Sequence, residues 1–127
     1  MKSSFWKYQL KYWVPVYIWL IFIFYLSSQP TIPTSSYFAT IFSIGPHLQH
    51  IFIYAILALF IYRALTHTKT PSKFLVVFST TFYGFLDEIH QYYVPGRTFD
   101  WFDIGMNFLG AILALILIAI FRKRTDR

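Results

Sequence analysis

The chain has no cysteine and few charged residues, and both shortages limit what it can be. Without cysteine it has no disulfide scaffold, no thiolate metal site and no cysteine nucleophile. Charged residues make up 13% of its 127 residues, about half the share typical of a soluble domain. The sequence is instead 57% hydrophobic and 23% aromatic. This composition is typical of a membrane protein with aromatic residues at the lipid interface.

Four apolar stretches, separated by proline and glycine, predict four membrane-spanning helices. A span needs roughly 20 mostly apolar residues, and the first and third stretches reach that length only with their polar ends included. The predicted spans are 12–28, 47–66, 73–94 and 101–121. A cleaved signal peptide is disfavoured for the first stretch, because no A-x-A site follows it. We therefore predict a single all-α membrane domain over residues 1–127, a four-helix transmembrane bundle.

The segment 30–45, between the first two spans, contains no charged residue. Its apolar residues Tyr37, Phe38, Ile41 and Phe42 recur at helical spacing. We expect a short helix that lies on the membrane interface. An ordered loop packed on the bundle is the alternative.

Basic residues lie on one side of this four-pass arrangement, and Arg97 is the exception. The ten on the common side are Lys2, Lys7, Lys11, Arg63, Lys69, Lys73, Arg122, Lys123, Arg124 and Arg127. The positive-inside rule then predicts a multi-pass protein of the cell membrane with both termini in the cytoplasm. The net charge of +6 is thus a topology signal with some attraction to anionic membrane lipid, and no nucleic-acid partner is expected.

Polar residues in all four predicted helices fall at a similar depth. A rise of about 1.5 Å per residue, counted from the basic side, brings Ser27, His50, Asp87 and Asn107 to roughly 21–23 Å across a hydrocarbon core of ~30 Å. This depth corresponds to the outer leaflet. Polar groups there are costly, so we expect them to face inward and pair with one another.

Helical spacing aligns these groups on single faces. The aligned sets are Gly84, Asp87, His90 and Gln91 on the third helix, Asp103, Asn107 and Gly110 on the fourth, and His47, His50 and Tyr54 on the second. Small residues let helices approach closely. Gly84 and Gly110 therefore predict a close approach of the third and fourth helices.

A long polar and aromatic run, residues 84–110, resembles the signature of the VanZ-like family (GFLDEIHQYYVPGRTFDWFDIGMNFLG). The stretch 19–30, which ends in Ser-Ser-Gln-Pro, and His50 with Tyr54 and Leu57 are similar to the family as well. The family is named for a bacterial protein associated with resistance to the glycopeptide antibiotic teicoplanin. The resemblance implies a polytopic membrane protein, but no settled biochemical activity comes with it.

The chain departs from the family pattern just before His50. The family often carries Asp-Lys three residues before the matching histidine. Here those positions are Pro46 and His47. A role for the family's Asp-Lys pair therefore does not carry over to this chain.

Four ionisable residues at the polar level are the candidate catalytic groups: His50, Asp87, Glu88 and Asp103. Asp87 and Glu88 are adjacent and point about 100° apart on a helix, so they cannot both face one partner. One of them could be a base or a ligand, and an ion pair with Arg97 that fixes the loop is the alternative. His50 could be a general base or a metal ligand, or a hydrogen-bonding group between helices.

The start of the fourth helix offers a structural alternative for two of the acids. Asp100 is predicted to be its N-cap, with Asp103 at the N3 position in an arrangement like a capping box. Catalysis is the alternative for Asp103.

Five further residues are candidate substrate-binding groups: Ser28, His90, Gln91, Arg97 and Asn107. Arg97 could hold a phosphate or carboxylate in a forked geometry. Asn107 is too deep to cap a helix, so an interhelical hydrogen bond is its alternative. Neither H-E-x-x-H nor another recognised metal motif is present, so the sequence predicts no metal and no cofactor.

Two classes of function remain open from the sequence. The first is a membrane-embedded enzyme or binding protein for an amphiphile with an anionic head group, such as a lipid-linked envelope precursor or a lipoglycopeptide. The second is a non-catalytic interaction or scaffold protein whose polar cluster is structural. A transporter is disfavoured, because four short helices leave little room for a path.

Overall fold

The computed structural model describes residues 2–30, 45–66 and 72–125, and these ranges contain helices and no strand. Helix α1 consists of the α-helical Lys2–Tyr8, the π-helical Gln9–Trp13 and the α-helical Val14–Ser27. The other helices are α2 (Pro46–Leu65), α3 (Lys73–Tyr92) and α4 (Trp101–Thr125). The predicted all-α fold of four helices is confirmed. The helix expected within 30–45 lies almost wholly outside the described residues.

Three helices in the described ranges are long and apolar enough to cross a membrane: Ser3–Ser27, His47–Leu65 and Trp101–Thr125. The first begins earlier than the sequence predicts and the last ends later. In both cases the added turns carry basic residues, whose long aliphatic stems can cover apolar surface while the charge reaches water. Helix α3 is less apolar, because its last two turns carry the candidate residues Asp87, Glu88, His90 and Gln91.

Side chains and backbone conformation define the ends of α3 and the start of α4. Ser72 is the N-cap of α3, and its hydroxyl accepts a hydrogen bond from Leu75 N at 3.2 Å. After α3, Gly96 adopts a positive φ of 78°, a conformation that glycine adopts without steric cost. Asp100 then caps α4, since its Oδ1 accepts from Phe102 N at 2.8 Å.

Helices α2 and α4 share the most extensive contact in the bundle. Small residues allow this, because a Cβ added at Gly110 would lie 2.5 Å from the Ile51 carbonyl oxygen. Gly110 therefore faces α2, which corrects the expectation that it faces α3. Gly84 does face α4, and a Cβ there would lie 2.4 Å from Asn107 Nδ2.

The bundle has a basic end and a polar end with an apolar core between them. The core contains Val16, Ile23, Leu57, Ala58, Ile61, Ala64, Val76, Ala111 and Ala114. At the basic end, Tyr8 donates to the Ala64 carbonyl, and Arg122 Nη1 donates to Tyr62 Oη at 3.0 Å. At the polar end, the end of α1 meets the end of α3, and the first turns of α2 and α4 meet each other.

Candidate functional site

One polar cluster surrounds Asp87 and is closed. Ser27 Oγ donates to Asp87 Oδ1, and Tyr54 Oη donates to Oδ2 at 2.9 Å. Gln91 Nε2 lies 3.3 Å from the same Oδ2 and 3.2 Å from Ser27 Oγ. All four side chains are buried, and we call them the Asp87 cluster. Both carboxylate oxygens have donors, so the cluster ties α1, α2 and α3 together.

A second cluster contains His47 and His50 of α2, Glu88 of α3, and Asp103 and Asn107 of α4, and we call it the histidine cluster. Asp103 lies between the two histidines: its Oδ1 is 2.6 Å from His47 Nδ1, and its Oδ2 is 3.6 Å from His50 Nε2. His50 Nδ1 lies 2.9 Å from Asn107 Oδ1. The predicted inward-facing polar groups of these three helices therefore meet.

The contact with Asn107 fixes the orientation and tautomer of His50. An amide oxygen only accepts hydrogen bonds, so Nδ1 of the ring must be the donor. In the neutral ring, Nε2 then carries the lone pair and faces Asp103. Tyr54 stacks parallel to the imidazole, with ring centroids 6.1 Å apart, and further restricts its rotation. A histidine held in this way can act as a base or as a ligand.

Within the described ranges, Glu88 is one of two members of the histidine cluster with an unsatisfied buried atom; the other is Asn107, through its Nδ2. Glu88 is 0% exposed, and its Oε2 accepts from Asp100 N at 3.1 Å. Its Oε1 is buried and has no hydrogen-bond partner among the described residues. A carboxylate oxygen of Glu88 lies within 4.8 Å of ligand atoms of both His50 and Asp103. The histidine cluster thus has unused bonding capacity at its centre.

Arg97 does not pair with either acid of α3, so the suggested ion pair with Asp87 or Glu88 is wrong for the described residues. Its Nε donates to the Gln29 carbonyl at 3.0 Å and its Nη2 to the Leu26 carbonyl at 3.2 Å. The last carbonyls of a helix lack intrahelical partners and carry partial negative charge. Arg97 therefore fixes its loop to the end of α1, and one edge of its guanidinium is occupied.

The predicted N-cap at Asp100 is confirmed, but the capping-box role suggested for Asp103 is wrong. In a capping box the N3 side chain would accept from the backbone N–H of Asp100. That N–H donates to Glu88 instead, and the Asp103 carboxylate faces His47 and His50. The histidine contacts compete successfully because they are charge-assisted when a ring is protonated.

The predicted substrate-binding residues fall at three places. Gln91 belongs to the Asp87 cluster and Asn107 to the histidine cluster. Ser28 and His90 meet at the junction of α1 and α3, where Ser28 Oγ donates to the Phe24 carbonyl at 2.7 Å and lies 2.9 Å from His90 Nε2. Because the Ser28 hydroxyl already donates its one proton to the Phe24 carbonyl, His90 Nε2 must be the donor in its hydrogen bond with Ser28 Oγ.

An apolar groove of about 410 Å³ lies between α1, α2 and α3. Its lining is Trp13, Val16, Tyr17, Leu20, Ile61, Leu65, Leu75, Phe78, Ser79, Phe82, Tyr83 and Leu86. Leu86, at one end of this lining, directly precedes Asp87. The groove therefore runs from the basic end toward the Asp87 cluster and suits a hydrocarbon chain.

Sequence reasoning did not include His47, Ser27 or Tyr54 among the site residues. His47 contacts Asp103, and Ser27 and Tyr54 hold Asp87. The signals were present, since His47 and Tyr54 share the face of His50, and Ser27 lies at the common polar depth. A helix face shows which residues are aligned, but it does not show which neighbouring helix they meet.

A comparison with protein-family models identifies the family. The VanZ/LLP1 family model matches residues 12–122. An uncharacterized protein of Schizosaccharomyces pombe is 31% identical over 106 residues, which cover 83% of this chain and 60% of that protein. The chain thus matches less than two thirds of the length of this relative. No solved structure matches the chain. This is a multi-pass membrane protein that belongs to the VanZ/LLP1 family.

Proposed function

We propose that the protein binds an amphiphile with an anionic head group and that the histidine cluster supplies the general base and general acid for a reaction of this head group. His50 Nε2 is the proposed base, because Asn107 holds the other ring nitrogen. Glu88 is the proposed second proton-transfer group. The observation that carries the proposal is the buried, unbonded oxygen of Glu88 next to an oriented histidine and Asp103.

The energetics of Glu88 favour a working site over cohesion alone. A buried polar atom left without a partner costs about 1–3 kcal/mol, and more when it is charged. Helix cohesion would be served better by a closed set of hydrogen bonds such as the Asp87 cluster. Sites that bind or catalyse commonly retain such unfavourable groups at the expense of stability.

The apolar groove supports an amphiphile as the ligand. Its lining is apolar apart from Ser79, and it leads toward the polar end. Ser28 and His90 lie at that end, on α1 and α3, as candidate contacts for the head group. Arg97 adds positive charge beside them. A lipid-linked envelope precursor or a lipoglycopeptide combines such a chain and head group, in line with the family's association with teicoplanin resistance.

A non-catalytic scaffold is the second candidate, and the closed Asp87 cluster favours it. Both oxygens of Asp87 are bonded to neighbouring helices, which is what a structural network requires. In this case the histidine cluster also holds the helices together, and the protein acts by contacting a partner protein. The two candidates differ in what happens when His50 or Glu88 is neutralised.

Turnover in reconstituted membranes tests the proposal. Wild-type protein, His50→Ala and Glu88→Gln are placed in nanodiscs with phosphatidylglycerol, a lipid-linked diphosphate precursor or teicoplanin, and head-group products are followed by mass spectrometry. We expect turnover by the wild type and a loss of about 100-fold or more in both variants, with melting behaviour retained. Phe52→Ala, a lipid-facing change on α2 at a residue 74% exposed, is the control.

Two results would contradict this proposal. One is the absence of any product from all three amphiphiles. The other is a loss of activity that follows a loss of folded protein in every variant, which would favour the scaffold.

We further propose that the polar end faces outward and that both termini are cytoplasmic, on the evidence of the basic residues. The native chain has no cysteine, so single cysteines at Thr98 and Thr125 can be labelled separately. An impermeant thiol reagent should label position 98 in intact cells and position 125 only after lysis. The reverse pattern would overturn this orientation.

A further inference from the structure

We propose that a divalent transition-metal ion binds between His50, Glu88 and Asp103. The three residues belong to α2, α3 and α4, so one ion would join three helices. This inference rests on the proposed function in so far as it concerns the same site. With an ion bound, His50 Nε2 and Glu88 would be ligands, in place of the proton-transfer roles proposed above. Its test measures the metal directly and needs no amphiphile.

The donor set is one that divalent transition metals accept. An imidazole nitrogen with two carboxylates suits Zn²⁺ or Mn²⁺. Ligands that lie about 2.1 Å from a tetrahedral ion are roughly 3.4 Å apart, and His50 Nε2 is 3.6 Å from Asp103 Oδ2. A ligand atom of Glu88 lies within 4.8 Å of both residues. Small side-chain movements would therefore bring all three to one ion.

The unbonded oxygen of Glu88 is an independent indication of a ligand. Glu88 is 0% exposed, and Oε1 has no hydrogen-bond partner among the described residues. Its Oε2 is already held by Asp100 N, so Oε1 is the oxygen left for an ion. Two acidic groups this close also repel one another when ionised, and a bound cation would offset that repulsion.

The neighbours of the three ligands orient them as in known metal sites. A metal-bound histidine usually donates its other ring N–H to an oxygen, and His50 Nδ1 has Asn107 Oδ1 at 2.9 Å. The second oxygen of Asp103 is held by His47. These contacts leave His50 Nε2 and Asp103 Oδ2 directed toward the same space.

A neighbouring trio, His47, Asp100 and Asp103, is also close enough to share an ion. It is the weaker candidate for two reasons. The His47 side chain is 44% exposed, and Asp100 Oδ1 is used to cap α4. We therefore assign the ion to the buried trio that contains Glu88.

Metal content of the purified protein tests the assignment. Protein with a tag that lacks histidine is treated with EDTA, dialysed, and titrated with Zn²⁺ or Mn²⁺ in detergent, with bound metal measured by mass spectrometry and melting recorded in parallel. We expect about one ion per chain and a higher melting temperature with metal. His50→Ala and Glu88→Gln should weaken binding by at least tenfold, and melting of Glu88→Gln should no longer respond to metal.

Phe52→Ala is the control, because this α2 residue is 74% exposed and belongs to neither polar cluster. It should bind metal as the wild type does. The assignment is overturned if neither metal binds the wild type, or if Glu88→Gln binds as tightly as the wild type. Metal binding without amphiphile turnover would contradict only the proposed function, and turnover in EDTA would contradict only the metal.

Discussion

Asp87 and Glu88 are neighbours in α3 and are 6% and 0% exposed, yet their surroundings differ. Asp87 has a donor on each oxygen, from Ser27 and Tyr54. Glu88 has one donor on one oxygen and none on the other. Successive helix residues point about 100° apart, so one acid faces the α1–α2 side and the other faces α4.

The difference between the surroundings of Asp87 and Glu88 shows how one bundle can contain both a structural polar network and a site open to a ligand. In a network every buried polar atom has its partner, and removing one member leaves others unpaired. In the histidine cluster an unpaired oxygen is already present, so neutralising it removes a cost. The two clusters should therefore respond to substitution in opposite directions.

Asp87→Ala should have the largest effect on stability. It leaves Ser27, Tyr54 and Gln91 without their common acceptor, and interhelical hydrogen bonds in membranes average roughly 0.6 kcal/mol and reach about 1.7. We expect a loss of about 2 kcal/mol in the free energy of unfolding, measured by denaturant titration in detergent. Because the residues are coupled, adding Tyr54→Phe should recover part of it. Full additivity of the two changes would contradict the network.

Gly84→Ala should cost less, about 1–2 kcal/mol, through overpacking. The new Cβ would lie 2.4 Å from Asn107 Nδ2 and 3.0 Å from Asn107 Cβ and Cγ, so Asn107 must move and would release His50. We expect lower stability together with weaker metal binding. Gly105→Ala is the matched control, since nothing lies within 4 Å of its Cβ, and it should stabilise α4. If both variants behave alike, the close approach of α3 and α4 is not what Gly84 provides.

Glu88→Gln should change stability in the opposite direction. The amide removes one negative charge from a buried pair, and its N–H₂ can donate toward Asp103, so we expect the metal-free protein to gain about 1 kcal/mol. Melting after EDTA treatment measures this against the wild type. A loss of stability as large as that of Asp87→Ala would mean that the two acids have the same role.

Much of the architecture follows from sequence, because membrane spans have a strong composition and length signal. The four helices, the basic end and the faces of α2 and α3 were predicted in this way. Gly110 was assigned to the wrong neighbour, since small residues show that a helix approaches closely but not which helix. Helix α1 extends further than its apolar stretch, because Lys7 and Lys11 are tolerated in its first turns.

The histidine cluster was only partly predictable. The meeting of His50, Asp103 and Asn107 follows from depth and face, but the pairing of Arg97 with α1 carbonyls does not. Charge alone suggested Asp87 or Glu88 as its partner, whereas the geometry of the loop after Gly96 directs it to Leu26 and Gln29. The proposed metal ligands come from three helices, so no local motif contains them.

The smallest effect on stability is expected for a substitution of Ser28, and its neighbour Ser27 is the residue to compare it with. Ser27 Oγ bonds Asp87, and Ser27→Ala should cost about 1 kcal/mol. Ser28 Oγ donates to the Phe24 carbonyl, which also accepts from Ser28 N at 3.0 Å, so Ser28→Ala leaves that carbonyl bonded and should cost less than about 0.5 kcal/mol. Because Ser28 holds His90, we expect Ser28→Ala instead to weaken amphiphile retention in nanodiscs, measured by native mass spectrometry. Equal stability losses at the two serines, or unchanged retention at Ser28, would show that the α1–α3 junction belongs to the same structural network as Asp87.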